Sequence, residues 1–99
     1  MKSIIQNEKE CFLCRKIFHS AKISHLEEHH IIFGHANRKN SEKYGLKVWL
    51  CNHHHRHSKD GVHFNKQLDL YLKKIAQRHF EDTYKDLDFR EIFGKNYLN

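Results

Sequence analysis

With 99 residues the chain has room for one domain and not two, and a domain of that size buries little apolar surface, so a structural metal or self-association would help it. Only 38% of residues are hydrophobic against 30% charged, and no apolar run approaches the ~18 residues of a membrane-spanning helix. A formal net charge of +6 suits a polyanion such as nucleic acid, an anionic membrane surface or a merely well-solvated exterior, and charge alone does not choose among them.

The first ten residues are polar and read as a loose arm. Met1 to Glu8 lacks the apolar core of a secretory signal, which points to a cytoplasmic site of action. Cys11-Phe12-Leu13-Cys14 follows, without the βαβ setting of a redox motif. Residues 17–27 carry no clear period. Leu26 to Phe33 reads as a short strand ended by Gly34, because Ile31, Ile32 and Phe33 have strand propensity. Ala36 to Lys43 is polar and basic, a loop with a helical turn, and Tyr44-Gly45 breaks it. Lys47 to Cys51 is the second strand, with Leu46, Val48 and Leu50 alternating against Lys47 and Trp49. Asn52 to Lys59 has no Pro or Gly and suits a helix stopped by Asp60-Gly61. The strongest helix runs from Asn65, its N-cap, to about Tyr84. Leu68, Leu72, Ile75 and His79 form its stripe, widened by Tyr71, Ala76 and Phe80, with Gln77 off it. A last helix, Leu87 to Phe93, stops at Gly94.

Chemistry concentrates in cysteine and histidine. Three cysteines are an odd number, and in a reducing compartment they are poor disulfide candidates. Of 11 histidines, eight lie between His25 and His57. The spacing Cys51-x-x-His54 mirrors Cys11-x-x-Cys14, and together these four residues satisfy a closed tetrahedral Cys3His zinc site that uses every cysteine. On a helix His55 points away from His54 by roughly 100°. It can therefore face His29-His30, where several imidazoles would bind a transition metal open to substrate. His19, His25, His35 and His79 read as surface or hydrogen-bonded side chains.

A doubled histidine on a strand, a loop, a second strand ending Leu50-Cys51, then Cys-x-x-His-His, resembles the HNH, or ββα-metal, nucleases. Residues 11–65 carry the likeness, through His29-His30-Ile31, Leu50-Cys51-x-x-His54-His55-Arg56 and Val62-His63-Phe64-Asn65. As a set they look like the small HNH proteins of bacteriophages and prophages. The resemblance implies a single α+β domain over residues 1–99. It would comprise a small ββα-metal, treble-clef-like core with structural zinc (11–65) and a C-terminal helical packing segment (66–99). It implies an endonuclease cutting DNA with low sequence specificity. His30 would be the general base, and His29, His55 and His63 would hold one catalytic divalent ion (Zn2+, Ni2+, Mn2+ or Mg2+). His63 would replace the usual closing ligand, whose position here is Lys59. Arg38, Lys39, Lys43, Arg56 and Lys59 would contact phosphates. The family's middle Asn has no counterpart at Gly45-Leu46-Lys47, and Asn37, Asn40 and Asn52 stand elsewhere. His29 and His30 can share one site only if their strand ends or twists there. Two other classes remain open: a non-catalytic zinc-dependent nucleic-acid-binding module, and an interaction module with phage protein partners that uses the C-terminal helices.

Overall fold

A computed structural model describes residues 1–56 and 59–98. His57 and Ser58, within the predicted Asn52–Lys59 segment, lie outside the described residues. The elements are α1 (Phe12–Phe18), β1 (Leu26–His30), α2 (His35–Tyr44), β2 (Lys47–Cys51), α3 (Asn52–His55), α4 (Lys66–Thr83) and α5 (Phe89–Phe93). This is a mixed helix-and-strand fold around a two-stranded sheet. No helix among the described residues is long and apolar enough to cross a membrane.

β1 and β2 pair antiparallel, with Leu26 opposite Cys51, His29 opposite Val48 and His30 opposite Lys47. The predicted first strand runs too far: pairing stops at His30, and Ile31 and Ile32 turn into the core. Ser41 on α2 causes the change of direction. Its buried hydroxyl donates to the Ile32 carbonyl at 2.6 Å and accepts from the Ile32 amide at 3.1 Å, taking both groups a third strand would have used.

The segment read as a loop with a helical turn is a full ten-residue helix, α2. Only Ser41 of it is buried, so it has no apolar stripe for the sequence to show. Its ends and polar anchors hold it. Gly45 closes it in the left-handed conformation (φ 75°), and a Cβ there would press on the Lys2 carbonyl. Asn37 and Asn40 donate to the carbonyls of Phe93 and Ile92, tying α2 to α5. Both side-chain amides are thus engaged with α5.

The N-terminal residues are no loose arm. The Ile4 amide donates to Gly45, Ser3 Oγ donates to the Lys47 carbonyl, and Gln6 Oε1 accepts from the Trp49 amide. Together they occupy the otherwise free edge of β2. α1, missed in the sequence, starts where the Cys11 sulfur accepts from the Cys14 amide and ends at left-handed His19. α3 is a single turn, shorter than predicted. α4 is where the apolar periodicity put it, with Asn65 capping it and Leu72, Ala76 and Phe80 buried but Tyr71 exposed, and α5 starts two residues later than predicted, at Phe89, capped by Asp88. Gln77 is buried too, against expectation. Its amide bridges Glu81, Asn96 and the Tyr97 amide, which brings a polar side chain inside without orphaned groups. Phe80, Phe89 and Phe93 close the core beneath α2.

Replacing Ser41 by Ala leaves a buried amide and carbonyl of Ile32 unpaired. The Ser41→Ala chain should lose about 2–4 kcal/mol of unfolding free energy in urea titrations. A loss within experimental error would mean that water or a backbone shift takes over the hydroxyl's role.

Candidate metal centre

Three stretches of chain bring Cys11, Cys14, Cys51 and His54 together. The first two sit at the start of α1, Cys51 ends β2, and His54 lies in the turn of α3. A tetrahedral ion with bonds of about 2.3 Å to sulfur and about 2.0 Å to nitrogen requires S···S edges near ~3.8 Å and S···N edges near ~3.5 Å. Cys14 and Cys51 sulfurs are 3.8 Å apart, and His54 Nδ1 lies 3.6, 3.4 and 3.5 Å from the sulfurs of Cys11, Cys14 and Cys51. The donor set therefore fits a structural metal such as zinc. Burial, followed by the neighbouring thiols, pushes Cys14 up to about 12. Burial also works against ionisation at Cys51, but the His54 amide and the other two thiols outweigh it and lower that group overall. A bound cation would supply the charge this crowded pocket lacks.

His55 follows His54 but faces the other way, and with His29 and His63 it forms a second group whose ligand atoms lie within 4.8 Å of one another. The three rings form a triangle with centroids 4.9–5.4 Å apart. His63 returns to α3 because the amides of Val62 and His63 donate to the carbonyls of His54 and His55. His29 is buried at 3% exposure, and its Nε2 has no hydrogen-bond partner among the described residues. A buried nitrogen without a partner, aimed at two other imidazoles, is what a metal ligand looks like without its ion. His55 hydrogen-bonds Glu27 Oε1 through Nδ1 at 2.9 Å, which leaves Nε2 on the far side of the ring. Glu27 also meets Arg56 at 3.4 Å. Its carboxylate thus stands behind His55 as an orienting partner. The motifs of the sequence do not single out Glu27, although its position two residues before His29 on the same strand face was a signal.

β1 ends at His30, so the neighbouring histidines diverge while bordering one cleft. That cleft, about 200 Å³, is lined by both of them with His55, His63, Glu28, Phe33, Arg38 and Arg56. His30 turns to α2, where its Nε2 lies 2.8 Å from Glu42 Oε1. A second hollow of about 440 Å³ continues past His30 along His35, Arg38, Lys39 and Glu42. Of the predicted phosphate contacts, Arg38, Lys39 and Arg56 line these hollows. Lys43 is exposed one turn further along α2, over the Tyr44 ring, and Lys59 is exposed without lining either hollow. Glu28, His30 and Glu42 also cluster as a metal site would, but Lys47 Nζ lies 3.0 Å from both Glu42 oxygens and 3.3 Å from Glu28, where a cation would go.

No protein-family model, curated protein or solved structure matches the chain. The chemistry must be read from these side chains alone. They offer a closed sulfur-rich site, an open imidazole site and a basic margin.

Burial, then the His55 and His63 imidazoles, lowers His29 from 6.5 to about 3. Between those values the unfolded chain binds more protons than the folded one. Stability therefore rises with pH across that window and is lost as pH falls from 6.5 toward about 3. His29→Phe, which keeps the ring volume, should show a smaller drop in unfolding free energy than wild type between about pH 7 and about pH 5. The difference between the two chains removes acid losses common to both, and equal drops would contradict a neutral, buried His29.

Proposed function

We propose that the protein is a metal-dependent endonuclease of the HNH, or ββα-metal, type acting on DNA. The observation that carries this reading is the convergence of His29, His55 and His63 in an open cleft that His30, Arg38 and Arg56 also line. A purely structural or DNA-binding module has no use for a second, open imidazole triad beside a closed Cys3His site. Support also comes from the order of the parts: a strand ending in the histidine pair, a second strand ending in Cys51, then the turn carrying His54 and His55.

In this reading Cys11, Cys14, Cys51 and His54 hold structural zinc and fix α3 against the sheet. His29, His55 and His63 hold one divalent ion, Zn2+, Ni2+, Mn2+ or Mg2+. When bound, that ion supplies positive charge to a phosphodiester oxygen and to the leaving oxygen. Glu27 keeps the His55 ring turned toward the cleft. Arg38, Lys39 and Arg56 receive backbone phosphates, with Lys43 and Lys59 further out, so affinity falls with salt and sequence preference is low. His30, hydrogen-bonded on one nitrogen, has its other nitrogen to take a proton from water.

Plasmid nicking with added Mn2+ or Ni2+ tests the reading. Wild type should cut, and His30→Ala should bind DNA with similar affinity while cutting about 10²–10⁴-fold more slowly. DNA binding without cutting by wild type, under every ion tried, would leave a non-catalytic nucleic-acid module. No binding even at low salt would favour a protein-interaction module.

Metal titration separates the two sites. Wild type should take up one tightly held ion and one weaker ion. Cys51→Ser should lose the tight ion and His63→Ala only the weak one. Tight-site affinity should rise with pH, because the thiol protons must leave before sulfur binds metal. A wild-type chain that binds one ion in all, kept by Cys51→Ser and lost in the His63→Ala chain, would reverse the assignment.

A further inference from the structure

His30 does not stand alone at the end of β1. Its Nε2 lies 2.8 Å from Glu42 Oε1, across the gap between strand and helix α2. The imidazole is mostly enclosed, with its side chain 11% exposed, so its rotation is set by this contact. Two further cationic donors hold Glu42. Lys47 Nζ donates to both its oxygens at 3.0 Å, the Met1 amine lies 3.1 Å from Oε2, and Glu28 shares Lys47 from beyond. Hydrogen bonds from His30, then Lys47, then the amine lower Glu42 to about 2, so it is a carboxylate at any pH where the protein works. An ionised carboxylate only accepts hydrogen bonds, so the nitrogen facing it must carry the proton.

We propose that Glu42 is a positioning residue for His30. Its carboxylate fixes the ring and holds the neutral imidazole as the Nε2–H tautomer, with the lone pair on Nδ1. The role given to His30 rests on the nuclease reading; the tautomer itself does not. The family's middle Asn has no counterpart in this chain, and Glu42 supplies an orienting contact to His30 through different chemistry. Such a contact sets which nitrogen can accept a proton from water, as the second-line partner of a catalytic histidine does elsewhere.

The test reads the tautomer directly and does not depend on cutting. Zinc-loaded protein labelled with 15N-histidine is examined by long-range proton–nitrogen NMR at mildly alkaline pH, in wild type, Glu42→Ala, Glu42→Gln and Lys47→Met. Wild type should give His30 as a single Nε2–H tautomer. Glu42→Gln, whose amide oxygen still accepts, should retain it. Lys47→Met should retain it too, which separates the histidine contact from the Lys47 ion pair. Glu42→Ala should give a mixture of tautomers, and with it a fall in kcat of at least about tenfold at near-constant KM. A single Nε2–H tautomer in Glu42→Ala overturns the proposal, whether or not the protein cuts DNA. A mixture in Glu42→Ala from a protein whose wild type cuts nothing upholds the positioning and removes the nuclease reading alone.

Discussion

The functional face depends on the meeting of Cys11, Cys14, Cys51 and His54. These residues come from parts of the chain with little else in common: the cap of a short helix, the last residue of a strand and a single helical turn. The sheet has only two strands, and α3 is too short to be stable by itself. A metal held by four donor atoms spaced as the corners of a tetrahedron would keep such small elements in register. A bound cation would also let a buried cluster of thiols be tolerated, since burial and the neighbouring thiols raise Cys14 to about 12.

The same cluster dictates where the second site lies. His54 and His55 are neighbours on one turn, so fixing His54 inward turns His55 outward over β1. Hydrogen bonds from Val62 and His63 to the carbonyls of these same two residues bring His63 back. The third corner, His29, is on β1 opposite Val48, held by the strand ladder. One buried site thus positions two imidazoles of the other and the strand ladder the third, without a dedicated scaffold, which is how 99 residues can carry both.

Much of this was legible in the sequence, and what was not has physical reasons. Cys-x-x-Cys, Cys-x-x-His and the doubled histidine announce themselves by residue type and spacing, and α4 by its apolar stripe. β2 is bounded correctly because Leu46, Val48 and Leu50 alternate. α2 was not legible as a helix, since it buries one serine and is held by glycine ends and asparagine contacts to α5. The end of β1 was not legible either. Ile31 and Ile32 have strand propensity, and only the distant Ser41 hydroxyl diverts them. Nor did pattern reveal the order in residues 1–10, because Ser3, Ile4 and Gln6 are bound to a strand edge that exists only once β2 has formed.

The two carboxylates behind the histidines show how neighbouring residues come to different ends. Glu27 and His29 share one face of β1, and Glu28 and His30 share the other. On the first face Glu27 meets Arg56 at 3.4 Å and still reaches His55 at 2.9 Å, so the carboxylate stands behind an imidazole whose other side belongs to the triad. On the second face Lys47 lies opposite His30 and between Glu28 and Glu42, where it supplies the positive charge that a metal would otherwise bring. A cation gathered there would meet an ammonium at 3.0 Å from the ligand oxygens, so this face cannot compete with the imidazole triad for metal. Lys47 is therefore the residue that separates the two faces chemically. It shares Glu42 with His30, and it leaves the His29 side, where Nε2 has no partner among the described residues, as the face whose donors fit a metal.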